Sequence, residues 1–275
     1  MEVMAIEDFA KRILAEDIGR GDLFSRVAAS KPAKAKIVAK SEGVLAGVVY
    51  ADAIAKIVDI EIDWQKEDAD RFEKGDLIAY LQGSSNDILA AERAILNTLL
   101  HASSIAANTK KMVEIAEKYG VKLLDTRKTR PLLREFEKYA VRVGGAINHR
   151  FGLDDALMLK DTHLKTVKNL KEFIKKARKK IPFTAKIEVE CENYEKAKEA
   201  MEAGADIVMC DNMDVDEIKK TVLYKKRKFP HILIEASGNI TVENIEEYAK
   251  TGIDAISSGS IVHQAVWPDI SMKFL

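Results

Sequence analysis

An α/β fold is predicted for this 275-residue chain: an N-terminal domain of its own, followed by an open or incomplete β/α barrel. Three observations carry that prediction. From Gly120 onward, short apolar runs alternate with amphipathic, charge-rich stretches, the pattern of strands alternating with helices around a parallel sheet. Each run ends in a polar cluster, as expected where strand ends surround a barrel's active site. The first hundred residues lack this alternation. Six runs rather than eight leave the barrel incomplete, and a doubly wound sheet is the alternative.

In chain order, a helix is expected near Ile6 to Leu14, then strands at Ala35 to Ala39, Val44 to Val49, Ile60 to Trp64 and Leu77 to Leu81. Residues 86 to 119 carry a long proline-free helical pattern that Ser103-Ser104 could divide. The domain boundary is placed at Ala107, giving domains 1–107 and 108–265, with tail 266–275 returning to the first. The barrel runs are Val121 to Leu124, Leu157 to Leu159, Ala185 to Val189, Ile207 to Cys210, His231 to Ile234 and Ile253 to Ile256. Between the third and fourth, Asn193 caps a helix from Glu195 to Ala203, Ala197, Ala200 and Met201 share its inner face, and Gly204 ends it.

Composition removes several function classes. Lys+Arg and Asp+Glu are both 44, so the long-range positive field of a nucleic-acid binder is missing. The N-terminus carries early acids and no sustained apolar stretch, which leads to the expectation of a cytoplasmic protein without a membrane anchor. Cys191 and Cys210 have no C-x-x-C spacing and are expected to be buried and inert. The chain has no G-x-S-x-G elbow, H-E-x-x-H helix, Walker loop or G-x-G-x-x-G fingerprint.

Against this neutral background, Arg127, Lys128, Arg130, Arg134, Arg142, His149, Arg150 and Lys160 crowd into one segment. Arginine forks suit carboxylates and phosphates, and lysine adds a point charge, so the segment points to a small anion. Lys160 directly follows an apolar strand, where an unpartnered ammonium is costly. Glu190 and Asp211 end adjacent strand candidates, where they can hold magnesium shared with substrate phosphates, cap helices or pair with the cations. Ser237-Gly238-Asn239 and Ser258-Gly259-Ser260 are either tight turns or places where backbone N–H groups approach a phosphate. His101, His231 and His263 lack partner spacing and are assigned structural roles.

The string Asp125-Thr126-Arg127-Lys128-Thr129, with Glu137 to Arg142, Asn148-His149-Arg150 and Lys160-Asp161-Thr162-His163, resembles the quinolinate phosphoribosyltransferases. The resemblance extends from Glu16-Asp17-Ile18-Gly19 and Gly43 to Gly47 through Glu188-Val189-Glu190, Asp211-Asn212 and Glu235 to Ile240. It implies an N-terminal α/β sandwich domain joined to an open seven-stranded barrel. It also implies condensation of quinolinate with phosphoribosyl diphosphate, using Mg2+, to give nicotinate mononucleotide, diphosphate and carbon dioxide. Arg127, His149 and Arg150 would orient the two carboxylates beside Thr126, and Lys128 and Lys160 would neutralise diphosphate and base. Glu190 and Asp211 would hold ribose hydroxyls or the metal, and Ser237, Gly238, Asn239 and Gly259 would bind phosphate. Arg93 would reach into a neighbouring subunit's site, which implies a homodimer.

The chain departs from the family pattern at Arg130-Pro131-Leu132, where Thr-Pro-Gly is usual, and at Thr162, His101, Ser104 and Ala107. A paralogue with a different base is therefore one alternative, although a molybdate-associated paralogue lacks the Lys160 to His163 stretch. A barrel aldolase using Lys160 as a Schiff-base nucleophile and a catalytically silent binding protein are the others.

Overall fold

The structure is a computed structural model that describes residues 2–275, without the side chains of residues 2–5. In chain order the elements are α1 (Glu2–Ile18), β1 (Pro32–Ala39), β2 (Gly43–Val44), α2 (Val48–Ile57), β3 (Glu61–Trp64), β4 (Arg71–Phe72), β5 (Leu77–Ser84), α3 (Ser85–Ala116), β6 (Lys122–Leu124), α4 (Arg134–Val143), β7 (Leu157–Leu159) and α5 (Asp161–Leu164). They continue as α6 (Leu170–Ala177), β8 (Ile187–Cys191), α7 (Tyr194–Ala203), β9 (Ile207–Asp211), α8 (Val215–Lys228), β10 (Leu233–Ser237), α9 (Ile245–Ala249), β11 (Ala255–Ser257), α10 (Ser260–His263) and β12 (Ile270–Phe274). Two compact units result: residues 2–108 with 135–145 and 265–275, and residues 109–134 with 146–264. The excursion of 135–145 into the first unit is not contained in a single cut at Ala107.

The first unit holds a four-stranded antiparallel sheet in the order β12-β1-β5-β3 and a small β2-β4 pair. Alternation along β1 buries Ala35, Ile37 and Ala39, which join Ile54, Ile78, Leu81, Ile88 and Ile95 in one apolar core. The strand expected at Val44 to Val49 is two residues long. Gly47, at φ 105°, turns the chain, and its carbonyl accepts the amides of Tyr50 and Ala51, so the β-branched Val48-Val49 pair opens α2 instead. Nor do Ser103 and Ser104 divide α3. Ser103 Oγ accepts the Ala46 amide at 3.0 Å, and Ser104 Oγ donates to the His101 carbonyl at 2.7 Å, so both hydroxyls are satisfied without breaking the helix.

In the second unit six parallel strands run in the order β6-β11-β10-β9-β8-β7. The sheet curls so that the first strand pairs with the last, and a single parallel bridge from Leu124 to Ile147 lies beside β6. The barrel is open. Asn193 accepts the Lys196 amide at the start of α7, and Gly204 closes that helix at φ 92°, as the sequence predicts. The last three strands begin up to two residues later than the apolar runs. Their polar terminal residues, Asp211, Ser237 and Ser257, are thus part of the sheet rather than of the loops beyond it. No described helix is long and apolar enough to cross a membrane.

Candidate active site

At the carboxyl ends of these strands lies a cavity of about 670 Å3. Its lining includes Thr126, Arg127 and Lys128 after β6, His149 and Arg150 before β7, Lys160 after it, Glu190 on β8 and Asp211 on β9. Ser237, Gly238 and Asn239 at the end of β10 and Gly259 after β11 complete the set. Of the residues to which the family resemblance gives a binding or catalytic role, Arg93 alone lies elsewhere. It stands on α3 in the first unit, exposed, with its guanidinium 2.9 Å from Glu92.

The eight-cation segment does not gather whole. Arg130 is exposed and outside the lining, and Arg142 belongs to the first unit, whereas Arg134 lines the cavity and donates to the Phe151 carbonyl at 2.9 Å. Leu132, in the position where glycine is usual, is exposed and left-handed at φ 66°.

The loop that bears His149 and Arg150 is fixed from below. Asp125, fully buried at the end of β6, accepts the His149 amide through Oδ1 and the Asn148 side chain through Oδ2, each at 2.7 Å. The Arg150 guanidinium donates to the Ala156 carbonyl at 3.0 Å. Burial, then the neighbouring Arg127 charge, lowers its pKa.

His149 Nε2 lies 3.2 Å from Glu188 Oε2 and 3.4 Å from Glu235 Oε2, and both carboxylates are sealed from solvent. Burial favours the neutral ring, but the two carboxylates outweigh it and draw the pKa up to about 10. The Nδ1 atom accepts the Arg150 amide at 2.8 Å. That acceptor role places the ring proton on Nε2, facing the acids, and a second proton enters only by breaking the Arg150 contact. The same reasoning argues against a metal here: His149, Glu188 and Glu235 bring ligand atoms within 4.8 Å of one another, yet Nε2 has no lone pair to offer.

Lys160 Nζ donates to Glu190 Oε2 at 2.8 Å, so the strand-end ammonium does have the partner that its cost requires. Asp211 is half-buried, and its pKa is raised by burial and then by the Glu190 charge. The loops after β10 and β11 are tied together. Ser258 and Ser260 Oγ both donate to the Ile240 carbonyl, at 2.6 and 3.0 Å. At Gly238, φ 97°, the backbone leaves no room for a side chain, because a Cβ would lie 2.8 Å from the Asn212 amide nitrogen.

Sequence reasoning passed over several of these residues. His263, read as structural, lines the cavity beside Gly259. Asp125, Glu188, Glu235 and Asn212 were only parts of longer motifs. For Glu188 and Glu235 a signal existed: each is an acid inside an apolar strand, and the two-residue period puts Glu188 on the same face as Glu190.

Comparison with known proteins agrees with this architecture. The family description "Quinolinate phosphoribosyl transferase, N-terminal domain" matches residues 22–103, and the corresponding C-terminal domain matches 105–273. The chain is 39% identical over 272 residues to the probable nicotinate-nucleotide pyrophosphorylase (carboxylating) of Methanothermobacter thermautotrophicus, covering 97% of this chain and 98% of that one. It is 38% identical over 262 residues to the nicotinate-nucleotide pyrophosphorylase (carboxylating) of Rattus norvegicus, covering 94% and 88%. The solved nicotinate-nucleotide pyrophosphorylase of Francisella tularensis superposes with a TM-score of 0.93 at 35% identity, covering 99% of this chain and 96% of that one. By sequence along nearly its whole length and by fold, the chain belongs to the quinolinate phosphoribosyltransferase family.

Proposed function

We propose that the second-unit cavity is where this chain, as a carboxylating nicotinate-nucleotide pyrophosphorylase of NAD biosynthesis, joins quinolinate to phosphoribosyl diphosphate. One observation carries the reading: a single cavity is lined by the cations Arg127, Lys128, Arg150 and Lys160 with His149 among them, by the acids Glu190 and Asp211, and by the Ser237-Gly238-Asn239 and Gly259 backbone. Quinolinate brings two carboxylates for the arginines, with Thr126 beside them. Phosphoribosyl diphosphate brings ribose hydroxyls for Glu190 and Asp211 and phosphates for the loop amides.

The chemistry then asks for position and charge rather than a nucleophile. Loss of diphosphate leaves positive charge on the sugar C1, and the pyridine nitrogen bonds to that carbon. Lys128 and Lys160 stand where the negative charge of the leaving group and base develops. The quaternised nitrogen withdraws electrons from the adjacent ring carbon. The 2-carboxylate leaves as carbon dioxide, its bonding pair held by the ring and then protonated. Holding two charged reactants in one pose contributes on the order of 7 kcal/mol at the low end for such preorganisation.

Glu190 and Asp211 fit a magnesium ion. They are hard oxygen donors at neighbouring strand ends, and the upward pull that Glu190 exerts on Asp211 is what a shared cation relieves. When bound, the ion supplies counter-charge to the diphosphate. Further parts of the reading are a homodimer in which Arg93 completes the partner's site, and a cytoplasmic setting consistent with the free thiols of Cys191 and Cys210. The aldolase reading is disfavoured because an ammonium held by Glu190 has no lone pair for attack. Borohydride in the presence of a keto substrate should trap no adduct on Lys160. Incubation with quinolinate, phosphoribosyl diphosphate and Mg2+ should yield nicotinate mononucleotide. Omitting the metal should abolish most of the yield, and undiminished turnover in excess chelator would remove magnesium from the account.

A further inference from the structure

Asn212 carries no charge, yet its hydrogen bonds join two walls of the cavity. The residue follows Asp211, which ends β9 in register with Ser237 on β10, and holds φ at 52°. Asparagine enters that left-handed region more readily than other side chains, and its surroundings fix it there. Three hydrogen bonds do so here. The Asn212 amide donates to the Ser237 carbonyl at 2.9 Å, Nδ2 donates to Asp211 Oδ2 at 2.9 Å, and Oδ1 accepts Asn239 Nδ2 at 3.0 Å.

The other end of the chain of bonds is equally constrained. Asn239 is also left-handed, at φ 53°, and its carbonyl accepts Asn244 Nδ2 at 3.1 Å. Asn244 Oδ1 in turn accepts the Thr241 amide at 2.8 Å. Between them Gly238 passes so close that a Cβ would stand 2.4 Å from Asn212 Oδ1. The shape of the 237–239 loop and the rotamer of Asn212 therefore determine each other.

We propose that Asn212 is a positioning residue that locks the Asp211 carboxylate to the Ser237–Asn239 loop, so that both meet phosphoribosyl diphosphate as one preformed surface. The inference rests on the reading of Asp211 and that loop as the sugar-phosphate end of the site. An amide side chain suits the task because it donates to a carboxylate with one arm and accepts from an amide with the other. Without the lock, the loop and the carboxylate must be ordered at the moment of binding, and that cost falls on one substrate. The quinolinate end, held by Asp125 through the His149 loop, uses none of these bonds.

Steady-state kinetics of the full-length enzyme with Mg2+ test this. Asn212→Gly keeps the left-handed backbone and deletes both side-chain bonds. Asn212→Asp keeps the shape and the acceptor for Asn239, but it turns the donor into a charge facing Asp211. The KM for phosphoribosyl diphosphate should rise roughly tenfold or more in Asn212→Gly and further in Asn212→Asp, while the KM for quinolinate stays within about twofold. Equal rises for both substrates, or no rise for either, overturn the proposal. Should Asn212→Gly fail to fold, the same comparison in Asn212→Asp decides. A wild-type protein that makes no nicotinate mononucleotide overturns the reading of the site and this inference with it. An active wild type with indifferent variants overturns the lock alone.

Discussion

Arg150 shows how a charge is made useful by being made uncomfortable. Its guanidinium is anchored to the Ala156 carbonyl, partly desolvated and within the field of Arg127, so a bound carboxylate would offset both the repulsion and the cost of burying the charge. A charge-assisted contact of this kind is worth about 1.5–3 kcal/mol. Arg127→Ala should therefore raise the KM for quinolinate roughly ten- to hundredfold with a smaller effect on kcat, and Lys160→Ala should lower kcat by about a hundredfold. Unchanged kinetics in both variants would move the site elsewhere. Leu132 makes a different prediction. A leucine at φ 66° carries about 1–2 kcal/mol of backbone strain, and glycine returns about 0.5–1 kcal/mol of that as unfolded-state entropy. Urea unfolding of Leu132→Gly should show a gain of about 0.5–1 kcal/mol, and a loss would mean that the exposed leucine has a packing role.

Strands β8 and β9 set Cys191 opposite Cys210 in register, both buried. Burial drives the Cys191 thiol far above its ordinary value and the Cys210 thiol up to about 12. With the thiolate disfavoured, the folded protein at about pH 8 should resist thiol reagents and react fully only in denaturant. Rapid labelling of either cysteine in the native state would contradict this packing. At β10 the outcome of Gly238→Ala is equally directional: the added methyl meets Asn212 backbone, so activity should fall and stability drop by more than about 1 kcal/mol. Such elements were legible in the sequence in proportion to their regularity. The barrel strands and α7 announced themselves through apolar runs, caps and Gly204, and the strand-end rule led directly to Glu190, Asp211 and Ser237. The Val44 to Val49 segment misled because a left-handed glycine overrode β-branched propensity. Asp125 and Asn212 stayed hidden, and Glu188 and Glu235 showed only as acids inside apolar strands, because what they do depends on partners 20 or more residues away in sequence, such as His149 for Asp125.

For the whole molecule, the division of labour between two units places Arg93 on α3 and the cavity in the barrel. If subunits share sites, Arg93→Ala and Lys160→Ala proteins, each inactive alone, should recover roughly a quarter of wild-type activity when mixed and reassembled as dimers, since half the dimers are hybrid and each carries one intact site. No recovery from a mixture shown to exchange subunits would remove Arg93 from the partner's site. The central claim is that one cationic pocket immobilises a pyridine diacid against an activated sugar phosphate. Its most direct test follows carbon dioxide released from carboxyl-labelled quinolinate. Release should occur only when phosphoribosyl diphosphate is present, with one carbon dioxide for each diphosphate and near-complete loss in Lys160→Ala; no label released at saturating substrates, or release that ignores the sugar phosphate, would contradict a shared pocket.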